Sequence, residues 1–308
     1  RLTNSGLSIT EWELFKGIFP PLNERSWFIY FDLYKQIPQF KLVNPTMTLD
    51  EFKIIFYWEY FHRILGRLIG IFFLVPLLYF YFSKKIEKKY LYPCFFILFL
   101  IIIQGIVGWF MVKSGLVNDI TVSHYRLSLH LSLALIIISI IFWTLLNFYK
   151  KTFKNFFNLS KKNIPFIILF ILLSSQIIIG AFVSGLDAGR LYQTWPLMGQ
   201  SYFPDDVAIT SYFNLIDFEN HSIVQFYHRN LAYFITVYVI ALCLYAVRLN
   251  VKNIKISIIF LIIFLILQII LGIYTLISGL NIYLASAHQI TSILLIFSAL
   301  NLYYNYIK

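Results

Sequence analysis

The chain has 308 residues, of which 59% are hydrophobic and 13% are charged, and its formal net charge is +11. Soluble domains carry about 25% charged residues, so this composition excludes an ordinary soluble protein and indicates one embedded in a membrane. The Lys and Arg residues lie mostly in short stretches between apolar runs, a pattern that reflects membrane topology and not binding to nucleic acid.

Seven apolar runs are long enough to cross a bilayer, which takes about 20 helical residues. They are predicted near residues 62–82, 91–112, 124–149, 164–186, 223–247, 255–277 and 284–305. Lys and Arg cluster after the first, third and fifth runs, and these connections should face the cytoplasm or matrix. The other connections, including a long one over residues 1–60, hold nearly all the Asp and Glu and should face outward. Cys94 and Cys243 lie at the basic, reducing ends, so no disulfide is expected.

An internal repeat relates the two halves of the sequence. Its matched positions are, pair by pair, Glu59 and Gln225, His62 and His228, Arg63 and Arg229, Gln104 and Gln268, Gly108 and Gly272, and His130 and His288. We therefore expect two equivalent bundles, over residues 1–160 and 161–308.

The first residues of the chain resemble the end of the fourth predicted span. Arg1-Leu-Thr-Asn-Ser5-Gly6 is similar to Gly180-Ala-Phe-Val-Ser-Gly-Leu-Asp187, and that span opens the second bundle. This similarity predicts one more span before residue 1. The expected fold is an all-α polytopic membrane protein of two pseudo-symmetric four-helix bundles, with seven of the eight spans in this sequence.

Four histidines lie in the first turns of different predicted spans: His62, His130, His228 and His288. All four spans begin on the outer side, so the four side chains should lie at similar depth. An ionisable residue inside a bilayer is costly and indicates a functional site, and imidazole is a common ligand of haem iron. We predict that His62 with His130, and His228 with His288, each hold one haem iron.

Zinc or copper is the competing interpretation of these histidines. It is disfavoured because carboxylate and Cys ligands are missing at this depth. The two remaining histidines, His124 and His221, lie at the borders of spans and are interpreted as interfacial or loop residues.

Charged residues beside the histidines differ between the halves. Arg63, Arg67 and Arg229 could pair with haem propionates, or instead with Glu59 or a loop acid. Glu59 lies three residues before His62, on the same helix face, where the second half has an amide. A carboxyl group can move protons or stabilise a developing cation, so we expect chemistry at the N-terminal pair with Glu59 as catalytic residue. Simple pairing with Arg63 is the alternative for Glu59.

These residues carry a resemblance to the haem A synthase family, in its mitochondrial and proteobacterial branch. The matching motifs are Glu59-x-x-His62-Arg63-x-x-Gly66-Arg67, Arg1-Leu-Thr-x-Ser5-Gly6-Leu7-Ser8, Gly108-Trp109-x-Met111-Val112-Lys113-Ser114-Gly115-Leu116, Gly185-Leu-Asp-Ala-Gly189, Trp195-Pro-x-Met-Gly199 and Ala287-His288-Gln289. The resemblance implies oxidation of the C8 methyl group of haem o to the formyl group of haem a, for cytochrome oxidase.

The resemblance also implies a role for each half. His62 and His130, with Arg63 and Arg67, would hold the substrate haem o. His228 and His288, with Arg229, would hold haem b as a cofactor. The implied partners are haem O synthase, cytochrome oxidase assembly proteins and an electron donor of unknown identity. The implied location is a bacterial plasma membrane or mitochondrial inner membrane, with the haem sites toward the outer face.

Two other function classes stay open on the residues alone. One is a dihaem cytochrome b that only transfers electrons, and the other is a haem transporter or chaperone. The aromatic segment over residues 9–57 is interpreted as an interfacial lid over the first haem pocket, or as a plain connecting loop.

Overall fold

A computed structural model describes residues 3, 5–11, 16–116, 120–157, 160–207, 212–248 and 254–307. The helices in chain order are α1 (Glu24–Lys35), α2 (Pro38–Val43), α3 (Leu49–Ser83), α4 (Lys88–Gly115), α5 (His124–Tyr149), α6 (Ile164–Gly185), α7 (Tyr212–Leu215), α8 (His221–Arg248), α9 (Ile254–Ile277) and α10 (Ile282–Tyr306). Over these ranges the chain forms no sheet, and its single isolated β-bridge joins Met198 to Ser201.

Seven of these helices are long and apolar enough to cross a membrane, namely α3, α4, α5, α6, α8, α9 and α10. They confirm the predicted all-α polytopic membrane protein. The observed bounds of the last six agree with the predicted spans to within three residues at each end. The agreement follows from a bilayer core about 30 Å thick, which requires about 20 consecutive apolar residues whatever the packing.

The first predicted span lies within a longer helix. Helix α3 starts at Leu49, not near residue 62, and its 35 residues extend about 52 Å at 1.5 Å per residue. That length exceeds the bilayer core, so the first part of α3 projects beyond it. Its start is stabilised by a capping box in which the Thr48 backbone N donates to the Glu51 carboxylate over 2.8 Å. Charged residues interrupt the apolar run in this part, so a prediction based on apolar runs did not include it in the helix.

The projecting part of α3 supports a folded extramembrane layer. It packs with α1 into what we call the extramembrane hydrophobic cluster, made of Leu7, Ile9, Trp27, Phe31, Tyr34, Ile37, Phe52, Phe56 and Val122. The interpretation of residues 9–57 as a plain loop is therefore wrong, because α1 and α2 lie within that segment. Aromatic residues of α1 pack on α3, and Phe40 of α2 packs on α1. The cluster also holds the segment around Leu7 and Ile9 close to α3.

Contacts divide the chain into two compact units, residues 1–134 and 135–308, and each is described by itself. In the first unit α3 packs beside α4, and in the second α6 packs against α8 and α9 against α10. The bundle boundary between residues 160 and 161 stays a prediction.

Candidate functional site

The four predicted ligand histidines lie on α3, α5, α8 and α10. His130, His228 and His288 are about two turns from the start of their helices and are half-buried. His62 is further from the start of α3, because that helix begins outside the apolar span, and its side chain is exposed.

The N-terminal pair has the separation that a shared iron requires. The ring centroids of His62 and His130 are 6.3 Å apart, with an interplanar angle of 73°. Two metal–nitrogen bonds of ~2 Å, with the distance from each nitrogen to its ring centre, sum to about 6 Å. In the second unit, His228 lies on α8 and His288 on α10. The structure therefore brings His62 and His130 together as the sequence predicted, and the binding of iron by either pair stays a prediction.

The donor set fits a haem better than a bare metal ion. In the described part of the chain, no group of three or more His, Cys, Asp or Glu side chains is arranged to hold a metal ion. A structural zinc site takes four protein ligands. A porphyrin brings four nitrogens of its own, so two histidines complete the coordination of its iron.

Two of the histidines contact a glutamine side chain on a neighbouring helix. Gln104 of α4 donates through Nε2 to the backbone O of His130 over 3.0 Å, and the same Nε2 lies 3.2 Å from His130 Nδ1. Gln176 of α6 repeats both distances with His228. The same amide–histidine contact therefore occurs once in each unit.

His288 contacts a glutamine in a different way. Its Nδ1 lies 3.0 Å from the backbone O of Gln268 on α9, and its Nε2 lies 3.3 Å from the side-chain Nε2 of that residue. A ring N–H that donates to a backbone carbonyl leaves a lone pair on the other ring nitrogen for a metal, and here the Gln268 amide faces that nitrogen.

A glycine one turn after each glutamine lets the histidine ring approach the neighbouring helix. A Cβ added at Gly108, Gly180 or Gly272 would lie 3.0, 3.0 or 2.9 Å from Cε1 of His130, His228 or His288. The contact at Gly272 is shorter than real Cβ atoms show, and those at Gly108 and Gly180 are tighter than nine in ten real contacts, so the helix backbone lies close against each histidine ring.

The motif Gln-x-x-x-Gly was only partly recognised in the sequence. Two copies were matched through the repeat, at Gln104 and Gln268, but their contact with the histidines was not foreseen. The third copy, Gln176-x-x-x-Gly180, was missed. Its spacing was a usable signal, because residues four apart share one helix face.

Filling one of these close approaches should displace a histidine. In Gly108→Ala the new methyl group meets the His130 ring, and overpacking of this kind costs about 1–3 kcal/mol. We expect roughly 5- to 150-fold weaker haem retention at the N-terminal pair. The matched control is Gly105→Ala on the same helix, where an added Cβ meets nothing within 4 Å. Haem-to-protein ratios after purification compare the two, and equal ratios would contradict the proposed close contact.

The Glu59 carboxylate is buried, at 5% exposure, and is fully paired. Its Oε2 accepts from the Ser8 hydroxyl over 2.7 Å and from the Ile9 backbone N over 2.9 Å. Its Oε1 pairs with the Arg63 guanidinium, which also donates to the backbone O of Ile9 and Glu11. The ion pair anticipated as the alternative is present within α3, and the hydrogen bonds of its two residues join α3 to the segment before α1.

The equivalent positions of the second half hold a segment in the same manner. Gln225 donates through Nε2 to the Tyr192 backbone O over 2.9 Å. Arg229 donates to the backbone O of Tyr192 over 2.8 Å, of Thr194 over 2.8 Å and of Leu197 over 3.1 Å. Each half therefore uses the residue three before its histidine and the arginine after it to fasten an extramembrane segment.

The third predicted arginine also contacts backbone. Arg67 donates to the Gly17 backbone O over 2.9 Å, and it lines a cavity with Arg63, Tyr60 and Glu11. Pairing of the three arginines with haem propionates stays a prediction. His124 begins α5 and is buried, whereas His221 begins α8 and is exposed, in agreement with their interpretation as border residues.

Comparison with known proteins gives consistent matches along the chain. A family model described as COX15-CtaA, cytochrome oxidase assembly protein, matches residues 1–300. A haem A synthase of Pelagibacter ubique is 47% identical over 303 residues, which cover 97% of this chain and 87% of that protein. The haem A synthase of Parvibaculum lavamentivorans is 45% identical over 78% of this chain and 69% of its own length. The haem A synthase of Rickettsia felis is 39% identical over 96% and 88%, respectively.

Proposed function

This chain belongs to the COX15-CtaA family of cytochrome oxidase assembly proteins, and we propose that one of its histidine pairs binds the substrate haem and the other binds a haem cofactor. Its function is that of a haem A synthase, an enzyme of the oxidoreductase type in a multi-pass membrane protein. The proposed reaction converts the C8 methyl group of haem o into the formyl group of haem a by two successive two-electron oxidations.

The N-terminal pair is proposed as the substrate site. The observation that supports it is the 6.3 Å separation of the His62 and His130 rings, combined with a carboxylate one turn away on α3. These two ligands would hold the iron of the substrate through two oxidations, and contacts with its propionates would fix its rotation about the iron–nitrogen axis, so that the same methyl group stays in place. Arg63 and Arg67 are proposed to face the propionates of the substrate.

The C-terminal pair is proposed as the cofactor site. His228 and His288 would hold haem b, which when bound supplies one-electron transfer. At this pair the position equivalent to Glu59 is Gln225, whose amide side chain does not act as an acid or a base near neutral pH. The chain's own contribution here is to hold and orient the cofactor, with Arg229 fastening the adjacent outer segment.

Glu59 is proposed as the catalytic carboxylate. It can hold a proton or stabilise positive charge that develops on the substrate beside His62. Its present partners, Ser8, Ile9 and Arg63, orient it and exclude water from it. When the carboxylate takes up a proton, the Arg63 guanidinium remains anchored by the backbone carbonyls of Ile9 and Glu11.

The haem sites are proposed to lie toward the outer face of a bacterial plasma membrane or mitochondrial inner membrane. The connections rich in Lys and Arg lie at the opposite ends of the ligand-bearing helices, and such connections stay inside. Haem O synthase is the proposed supplier of the substrate, and cytochrome oxidase assembly proteins are the proposed recipients of the product.

The test is to identify the haems that the protein carries. We would express it with a haem O synthase, purify it, and separate the extracted haems by chromatography with mass analysis. Haem b together with haem o and haem a is the expected result. Two unmodified haems b per chain would contradict the proposal and favour a dihaem electron-transfer cytochrome, and rapid exchange of unmodified haem would favour a carrier.

A further inference from the structure

The ligand histidines differ in what faces the ring nitrogen that does not bind iron. An imidazole that binds iron through one nitrogen keeps a proton on the other, and that N–H needs an acceptor. For His288 the acceptor is the backbone O of Gln268, 3.0 Å from Nδ1. A backbone carbonyl belongs to the helix itself, so no side-chain substitution removes it.

For His228 the group in reach is a side chain. The Nε2 of Gln176 lies 3.2 Å from Nδ1 and 3.5 Å from Nε2 of the His228 ring, and it donates to the backbone O of His228. Its Oε1 is buried and makes no hydrogen bond to any described residue. The nitrogen and oxygen of a carboxamide exchange places by a half-turn of the terminal torsion. That turn would bring the unpaired Oε1 to the ring N–H in place of the hydrogen bond from Nε2 to the His228 backbone O, which also accepts within α8.

The N-terminal unit repeats the arrangement. Gln104 Nε2 lies 3.2 Å from Nδ1 and 3.3 Å from Nε2 of the His130 ring and donates to the His130 backbone O, and its Oε1 is likewise buried without a partner in the described ranges. The two glutamines belong to different units, α4 in the first and α6 in the second. The Oε1 of Gln268 is also buried without a partner in the described ranges, but the Nδ1 of His288 already faces the backbone O of Gln268.

We propose that Gln176 and Gln104 are positioning residues, whose carboxamides accept the Nδ1–H of His228 and His130 and so hold each ring for iron, while the backbone of Gln268 does this for His288. The inference rests on the proposed function, since it assumes that these histidines bind haem iron. The proposal gives Gln104 a role in the N-terminal histidine pair and Gln176 a role in the C-terminal pair, and the sequence repeat alone did not indicate these roles.

The arrangement has an electrochemical consequence. A ring N–H that donates to a good acceptor makes the imidazole a stronger electron donor, which favours ferric over ferrous iron and lowers the reduction potential. Losing the carboxamide at residue 176 should therefore raise the potential of the haem b. Losing the carboxamide of Gln268 should leave the reduction potential close to that of the wild type, because the acceptor for His288 is the backbone O of residue 268.

The experiment uses the purified full chain with its bound haem b. We would measure the haem midpoint potential by spectroelectrochemistry, and the low-spin ferric signal by electron paramagnetic resonance, in Gln176→Leu, Gln176→Glu and Gln268→Leu. We expect a raised potential, with roughly 10- to 100-fold weaker haem retention, in Gln176→Leu alone. Gln176→Glu restores an acceptor and should bring the potential back to the wild-type value or below it.

The results separate this inference from the proposed function. A wild-type protein without low-spin, two-histidine haem would overturn both. Low-spin haem whose potential is the same in all three variants would overturn only the role of Gln176, as would an equal rise in Gln176→Leu and Gln268→Leu. If Gln176→Leu does not fold, Gln176→Glu and Gln268→Leu still test the proposal. A reduction potential above the wild-type value in Gln176→Glu would contradict it.

Discussion

The His228→Ala variant is expected to lose the cofactor haem while the N-terminal pair still binds its own. Iron held by two histidines keeps its low-spin character only while both ligands stay bound, so removing one should abolish the low-spin signal of this site. Haem a formation should stop as well, because the proposed electron-transfer cofactor is gone. His130→Ala should give the complementary result, with loss of the substrate haem and retention of haem b.

The chain offers a matched control for this loss. His221 is the first residue of the same helix α8 and is exposed, so His221→Ala should keep both haems. The measurement is the amount of each extracted haem per protein, with the low-spin signal of the intact sample. Adding imidazole to His228→Gly should restore the signal if the ligand is what was lost. Normal haem b content in His228→Ala would rule out the proposed axial ligand.

The Glu59→Gln variant is expected to bind both haems and to form haem a roughly 10²- to 10⁴-fold more slowly, the contribution typical of a positioned acid or base. The amide oxygen can still accept from the Ser8 hydroxyl and the Ile9 backbone N, so the outer segment should remain attached. The second half provides a native precedent, because Gln225 and Arg229 hold their segment without a carboxylate. The glutamine variant therefore removes the acid and leaves the packing nearly unchanged.

Haem a yield and total haem content, measured together, check this prediction. Glu59→Ala should also stall the conversion with haem bound, although it additionally loses the hydrogen bonds to Ser8 and Ile9. The reciprocal variant Gln225→Glu should form haem a at the normal rate, since the proposed chemistry takes place at the other pair. A wild-type yield of haem a from Glu59→Gln would show that the carboxylate serves only to fasten the outer segment to α3.

Much of the architecture could be predicted from the linear sequence. The six spans after the first were placed to within three residues, and the His62–His130 pair was recognised from its depth and from the repeat. These features depend on the thickness of the bilayer and on the cost of burying an ionisable group, and both act on each segment independently of its neighbours. The family resemblance rested on the same local motifs.

Other features came from packing between segments distant in the chain. The start of α3 at Leu49 depends on a cap and on aromatic residues of α1 that pack on Phe52 and Phe56 in its first part. Glu59 and Ser8 form their hydrogen bond although they are 51 residues apart in the sequence, and Gln176 and His228 are in contact although they are 52 residues apart. A hydrophobicity or repeat pattern records which face of a helix a residue occupies. It does not record which helix lies opposite that face, because the energy that chooses the neighbour comes from contacts formed only when the helices have assembled.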